Sequence, residues 1–214
     1  MATIRSQTIF CLHSEQPIGH EIFHSSLRTQ AHKTCDLLHT KALADTLKAI
    51  QSAKIRMDSP AYINVSCQRL TDSNRYFRAV LYLLQTLQSA EHTVRIELTE
   101  EAAESTLERR VSLLRPLCDQ VILDDFGSLS SNFDRLFTIQ PDAIKFDQTL
   151  MTTTDETHAL HGFYQRLLAL IVPMNIEIIA EGIETPKQLT YLKSIGITKG
   201  QGFYLSKPVI QAFV

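Results

Sequence analysis

The chain has 214 residues, 44% hydrophobic and 21% charged, and a formal net charge of −2. That length supports one large domain or two small ones with a full core, and the composition excludes disordered, collagen-like and disulfide-dense classes. The near-neutral balance gives no basic footprint for nucleic acid, so no DNA or RNA polymer is expected as a partner.

In chain order, two β-rich runs come first, Thr8–Leu12 and Pro17–Phe23. The residues between them suffice only for a turn, so the two are expected to pair antiparallel. From about residue 60, short apolar or β-branched runs alternate with longer helical stretches. The predicted strands are Ala61–Val65, Val94–Leu98, Gln120–Asp124, Ala143–Phe146, Glu177–Ala180 and Gln201–Leu205. The predicted helices are Ser73–Ser89, Glu101–Leu117, Asn132–Thr138, Asp155–Met174 and Pro186–Ile195. Leu107, Val111 and Leu114 mark the apolar face of one helix, and Leu160, Phe163, Leu167 and Ile171 that of another. Thr185-Pro186 joins a hydroxyl N-cap to a proline at the first helical position, and Gly196 is a plausible stop. Alternating β and α units imply a parallel sheet covered by helices, either an open doubly wound sheet or a barrel. The count of eight strands favours the barrel. The expected fold is therefore α/β, a (β/α)8 TIM-like barrel with an antiparallel N-terminal strand, with residues 1–214 forming a single domain.

Cys11, Cys35, Cys67 and Cys118 are scattered without a CxxC pair, which suits reduced packing thiols. Five of the eight histidines lie in the first forty residues, at spacings that match no zinc pattern. The first residues carry no signal-peptide core, and the longest apolar run, Leu167–Met174, is far shorter than the roughly 20 residues that cross a bilayer. A cytoplasmic protein without a membrane segment is expected.

The informative carboxylates recur at the C-terminal ends of the predicted strands: Glu97, Asp124, Asp125, Asp147 and Glu181, with Lys145 among them. In a barrel those ends meet at one mouth. Oxygen ligands at such density suit hard divalent cations, Mg²⁺ or Mn²⁺, and two of them would activate water against a phosphodiester. Taken singly, an acidic residue after a strand more often serves as a helix cap. Asp124-Asp125-Phe126-Gly127 also contains the kinase Asp-Phe-Gly, but the kinase Gly-rich and His-Arg-Asp loops are absent.

Six motifs in order resemble those of the EAL-domain phosphodiesterases, which hydrolyse the bacterial second messenger cyclic di-GMP to linear pGpG. They are Ile63-Asn64-Val65-Ser66, Glu97-Leu98-Thr99-Glu100, Asp124-Asp125-Phe126-Gly127, Lys145-Phe146-Asp147, Ala180-Glu181-Gly182-Ile183-Glu184-Thr185, and Gly200-Gln201-Gly202-Phe203-Tyr204 with Ser206-Lys207-Pro208. The signature Glu-Ala-Leu is represented by Glu21-Ile22-Phe23. The resemblance implies that Glu21, Asn64, Glu97 and Asp124 hold one metal, that Asp124 and Asp125 help to hold a second, and that Glu181 acts with it as ligand or general base. It implies catalytic roles for Lys145 and Gln201 on the attacking water, and support of the site by Glu100, Asp147 and Glu184. Two Mg²⁺ or Mn²⁺ ions per site and inhibition by Ca²⁺ follow from it as well, as does a possible homodimer.

Two departures stand out. Ser25 occupies the place where the family usually has a phosphate-contacting Arg, with Arg28 nearby; Phe23, Ser25 and Arg28 are the candidate substrate contacts. The loop 127–133 lacks the family's second Gly and its Tyr. The residues thus leave two functions open: a metal-dependent cyclic di-GMP phosphodiesterase, and a non-enzymatic regulator that binds cyclic di-GMP or a partner protein.

Overall fold

The computed structural model describes residues 2–27, 36–99, 105–127, 133–147 and 161–214. Strands β1 (Thr3–Cys11) and β2 (Gln16–His24) pair antiparallel across a turn at 12–15, as the short connection required. β3 (Ala61–Val65), β4 (Val94–Leu98), β5 (Gln120–Phe126), β6 (Ala143–Phe146), β7 (Glu177–Ala180) and β8 (Lys199–Gly200) follow, each parallel to its predecessor from β2 onward. Phe10 and Cys11 of β1 pair antiparallel with β8 and close an eight-stranded barrel. The other half of the same β1 edge, Thr3–Ser6, is taken by β9 (Val209–Phe213), which the sequence reading did not contain.

The described helices are α1 (Asp36–Gln51), α2 (Cys67–Asp72), α3 (Asn74–Ser89), α4 (Ser105–Leu114), α5 (Asp134–Ile139), α6 (His161–Ile171) and α7 (Pro186–Ser194). Their ends follow local chemistry. Ser66 caps α2 and Ser73 caps α3 through their hydroxyls. Thr185 and Gln188 form a reciprocal capping box at α7. Pro116 and Pro173 fall in short 3-10 turns that end the expected helices 101–117 and 155–174, so that α4 stops at Leu114 and α6 at Ile171. Leu160 and the segments 101–104 and 155–160 lie outside the described residues, as does Cys35.

Besides β9, three elements differ from the sequence expectation. The helices α1 and α2 were not expected. The buried stripe of α1 is Ala42, Leu43, Thr46, Leu47, Ala49 and Ile50, in which two alanines and a threonine dilute the apolar signal. The expected strand Gln201–Leu205 is a turn, and the strand lies just before it at Lys199–Gly200. The cause is the close approach of Gly202 to the backbone of Ile183, where a Cβ would lie 2.2 Å from the Ile183 nitrogen. Ile183 N donates to the Gln201 carbonyl at 3.2 Å, and Tyr204 N donates to the Ile183 carbonyl at 2.9 Å, so these backbone groups fold on the β7–α7 segment rather than on a strand.

Alternation along the strands divides the side chains between two cores. One set faces the helices, including Ile63, Val65, Ile96, Leu98, Val121, Leu123, Ile144 and Phe146. The other set fills the barrel: Ile9, Tyr62, Ile122, Ala143 and Ile179 make an apolar layer. Below it a polar layer closes the base. Arg95 pairs with Asp119 at 3.0 Å and donates to the Tyr62 hydroxyl, while Glu177 accepts from Gln120 at 3.0 Å and from Lys199 at 2.6 Å. One step further toward the strand C-termini, the same alternation delivers polar residues to the mouth.

Candidate active site

Lys145 of β6 stands at the centre of that mouth. It is 1% exposed, and its Nζ lies 2.7 Å from Glu181 Oε1, 2.9 Å from Glu21 Oε2, 3.2 Å from Glu97 Oε2 and 3.3 Å from Asp124 Oδ1. The four carboxylates come from four strand ends: β2, β4, β5 and the residue after β7. Gln201, which follows β8, ties two of them together, donating from Nε2 to Glu21 Oε2 at 2.7 Å and to Glu181 Oε1 at 2.8 Å. Asn64 of β3 donates to Glu21 Oε1 at 2.8 Å.

Asp124 and Asp125 are neighbours in a strand and would ordinarily point to opposite faces. A register irregularity between Leu123 and Phe126, with Asp125 at φ +54°, breaks the alternation. Both carboxylates consequently line the cavity, and ligand atoms of Asp124, Asp125 and Glu181 lie within 4.8 Å of one another.

The electrostatics are unbalanced. Carboxylates around Lys145 outnumber its ammonium four to one. Burial opposes the charge on Lys145, but the surrounding carboxylates, Asp124 and Glu181 first, outweigh burial and hold its pKa well above the ordinary Lys value. Burial, reinforced by the Glu21 charge, pushes Glu97 well up, and burial likewise raises Asp124. Burial raises Glu181 to about 8. Glu21 alone of the four goes down: burial works against this, but Lys145 and the donors of Gln201 and Asn64 prevail.

This donor set fits hard divalent cations. All the side chains offer oxygen. Glu97 Oε1 and Gln201 Oε1 are buried acceptors without a hydrogen-bond partner. Such orphaned atoms are costly unless a further group completes them.

The site opens into a cavity of about 880 Å³. Phe23, Asp147 and Glu184 line it along with Glu21, Asn64, Asp124, Asp125, Lys145, Glu181 and Gln201. Glu97 lies beneath, fully buried. Ser25 does not line the cavity: its Oγ accepts from Thr3 N at 2.8 Å and secures the start of β1. Arg28 and Glu100 lie outside the described residues, as does the stretch 128–132 of the altered loop. His39 and Tyr76 also line the cavity, their rings edge to face with centroids 6.1 Å apart, and neither was expected there. His39 sits on α1, the helix whose weak pattern concealed it. Thr99, within the Glu97-Leu98-Thr99-Glu100 motif but given no role by the resemblance, lines the cavity too.

Among the described residues, no helix is long and apolar enough to cross a membrane. The comparisons with known proteins agree with the geometry. Over 150 residues, the chain is 31% identical to the cyclic di-GMP phosphodiesterase PdeR of Escherichia coli strain K12, covering 69% of this chain and 22% of that protein. It is 28% identical over 117 residues to the cyclic di-GMP phosphodiesterase NbdA of Pseudomonas aeruginosa, covering 53% of this chain and 15% of the relative. The chain thus spans about a fifth or less of the length of these curated relatives. Among solved structures, the PaMucR phosphodiesterase in complex with c-di-GMP superposes with a TM-score of 0.82 at 19% identity, covering 98% of this chain and 97% of that one. A manganese and c-di-GMP complex of Klebsiella pneumoniae BlrP1 gives 0.77 at 22% identity, covering 98% and 56%. The EAL domain family model matches residues 13–208, and the chain belongs to the EAL domain family.

Proposed function

We propose that this chain is a cyclic di-GMP phosphodiesterase that hydrolyses one phosphodiester bond to give linear pGpG. The observation that carries the reading is the convergence of Glu21, Glu97, Asp124 and Glu181 on Lys145, with Asn64, Asp125 and Gln201 completing an oxygen-rich floor below a cavity of about 880 Å³. The names of PdeR and NbdA support the substrate. The manganese complex of BlrP1 supports a divalent cofactor. Glu21, Asn64, Glu97, Asp124, Asp125 and Glu181 would hold two Mg²⁺ or Mn²⁺ ions, which supply charge neutralisation and Lewis acidity toward the phosphodiester when bound. Ca²⁺, larger and with less strict geometry, is expected to occupy the site without supporting turnover.

The protein's own groups supply the rest. Lys145 keeps the carboxylates convergent and brings a fixed positive charge to the place where negative charge develops on the phosphoryl group. Gln201 holds Glu21 and Glu181 in register and keeps its Oε1 free to accept a hydrogen bond from water. Glu181, on the cavity wall, is placed to take a proton from the attacking water. Glu184 and Asp147 line the same wall, and Phe23 offers an apolar surface beside the substrate. In this proposal residues 1–214 form one barrel unit that acts in the cytoplasm and works as a homodimer.

One observation favours a second reading. Ser25 stands where the family resemblance places a phosphate-contacting Arg, and its hydroxyl is engaged by Thr3 N outside the cavity. A protein without that contact could bind cyclic di-GMP weakly, or bind a protein partner, without turnover. Incubation of purified protein with cyclic di-GMP and Mg²⁺ or Mn²⁺, with chromatography for pGpG, decides between them. Binding without any pGpG would overturn the enzyme reading, and turnover surviving in Glu21→Ala would overturn the site.

A further inference from the structure

We propose that Arg135 is a positioning residue for the carboxylate site, clamping the C-terminal ends of β3 and β4 to α5 so that Asn64 and Glu97 are fixed relative to the strand carrying Asp124 and Asp125. The inference rests on the metal-site reading above. Arg135 is 2% exposed in the first turn of α5, the first described helix after β5. Its Nη2 donates to the Thr99 carbonyl at 3.0 Å and to Cys67 Sγ at 3.0 Å. Thr99 is itself a junction. Its N–H donates to the Val65 carbonyl at 3.2 Å, and its Oγ1 accepts from Cys67 N at 3.3 Å. Val65 directly follows Asn64, and Thr99 lies two residues beyond Glu97 on the cavity wall.

A single guanidinium therefore reaches from α5 to the exits of two strands whose preceding residues form the site floor. Burying it is expensive, because its Nε is buried without a hydrogen-bond partner. A methionine of similar bulk would avoid that cost if packing were the only task. The two acceptors are a carbonyl and a thiol, not carboxylates, so what the contact supplies is direction. Groups that orient ligands without touching the metal commonly change metal affinity about 10–100-fold when removed.

Arg110 provides the control. It makes an analogous clamp on the carbonyls of Leu70 and Ser73, in the α2–α3 region, and does not line the cavity. Mn²⁺ binding is measured by titration calorimetry, without substrate, on wild type, Arg135→Met, Arg135→Lys, Cys67→Ala and Arg110→Met, each checked by thermal melting. Arg135→Met is expected to weaken Mn²⁺ binding about tenfold or more. Arg135→Lys, which keeps a donor, should recover part of it, and Cys67→Ala, which removes one acceptor, should weaken binding less. Arg110→Met should lower the melting temperature and bind Mn²⁺ as wild type does. A folded Arg135→Met with wild-type Mn²⁺ affinity would overturn the proposal, as would an equal loss in Arg110→Met. If Arg135→Met does not fold, Arg135→Lys and Cys67→Ala both binding like wild type would overturn it. Wild-type protein that binds no Mn²⁺ would overturn the metal-site reading itself.

Discussion

Replacing Lys145 by Met tests the electrostatic account of the site most directly. In the native protein the ammonium lies 2.7–3.3 Å from four carboxylates, itself 1% exposed. Met fills similar volume but leaves Glu21, Glu97, Asp124 and Glu181 without an internal cation. Removing one partner of a buried ion pair costs roughly 3–5 kcal/mol. For a chain of this size 1 kcal/mol corresponds to roughly 2–4 °C, so the melting temperature in EDTA should fall by roughly 6–20 °C. The folded pKa of Lys145 lies above the ordinary Lys value, so its contribution is fully present at neutral pH and would be lost only in strong alkali. Two further arms separate this cause from a packing defect. Lowering the pH protonates the uncompensated carboxylates and should shrink the deficit. Saturating Mn²⁺ should shrink it at constant pH, because the cation replaces the missing positive charge. The assay is scanning fluorimetry with EDTA or Mn²⁺ at several pH values. A Lys145→Met protein within about 1 kcal/mol of wild type in EDTA at neutral pH would refute the reasoning. A large deficit that neither acid nor Mn²⁺ reduces would refute it equally.

Three other outcomes are expected. In EDTA the wild-type protein should lose stability as pH rises from about 4.5 to about 8, because burial raises Glu181 to about 8 in the folded state and unfolding releases that proton; Mn²⁺ should flatten this trend in a melting series. Gly202→Ala should destabilise by about 1–3 kcal/mol in urea unfolding and weaken Mn²⁺ binding, since its Cβ would lie 2.2 Å from Ile183 backbone and push Gln201 off Glu21 and Glu181. In native protein, iodoacetamide should modify Cys11 well before Cys118, as peptide mass spectrometry would show: hydrogen bonding from Ser14 lowers the Cys11 thiol, while burial raises Cys118 to about 12. Equal rates at the two thiols would contradict the assignment.

The alternation of short β-branched runs and amphipathic helices made the barrel legible, because period 2 and period 3.6 are local properties of a chain. The antiparallel start was legible for a related reason: four turn residues between β1 and β2 cannot contain a crossover. The failures have equally local causes. The helix α1 buries alanines and a threonine, and β8 is two residues long and ends in glycine. In β9 only Ala212 is buried, so its sequence carries no alternation to read.

At the site, the sequence by itself determined the residue types and their place at strand ends, since a carboxylate after a β-branched run is visible in one dimension. It did not determine their distances. Glu21 and Gln201 are separated by 180 positions and meet at 2.7 Å because β8 closes on β1, which pairs with β2. Ser25 shows the same division. The resemblance to the family marked Ser25 as standing in place of an Arg, but only the structure showed the Ser25 hydroxyl committed to Thr3. Arg135 gave no signal at all, because a basic residue in a helix ordinarily reads as a solvated face. Its task exists only where α5 packs over the exits of β3 and β4. Composition and periodicity fix which groups a chain can bury, whereas barrel closure decides which of them share one mouth and what charge they must hold there.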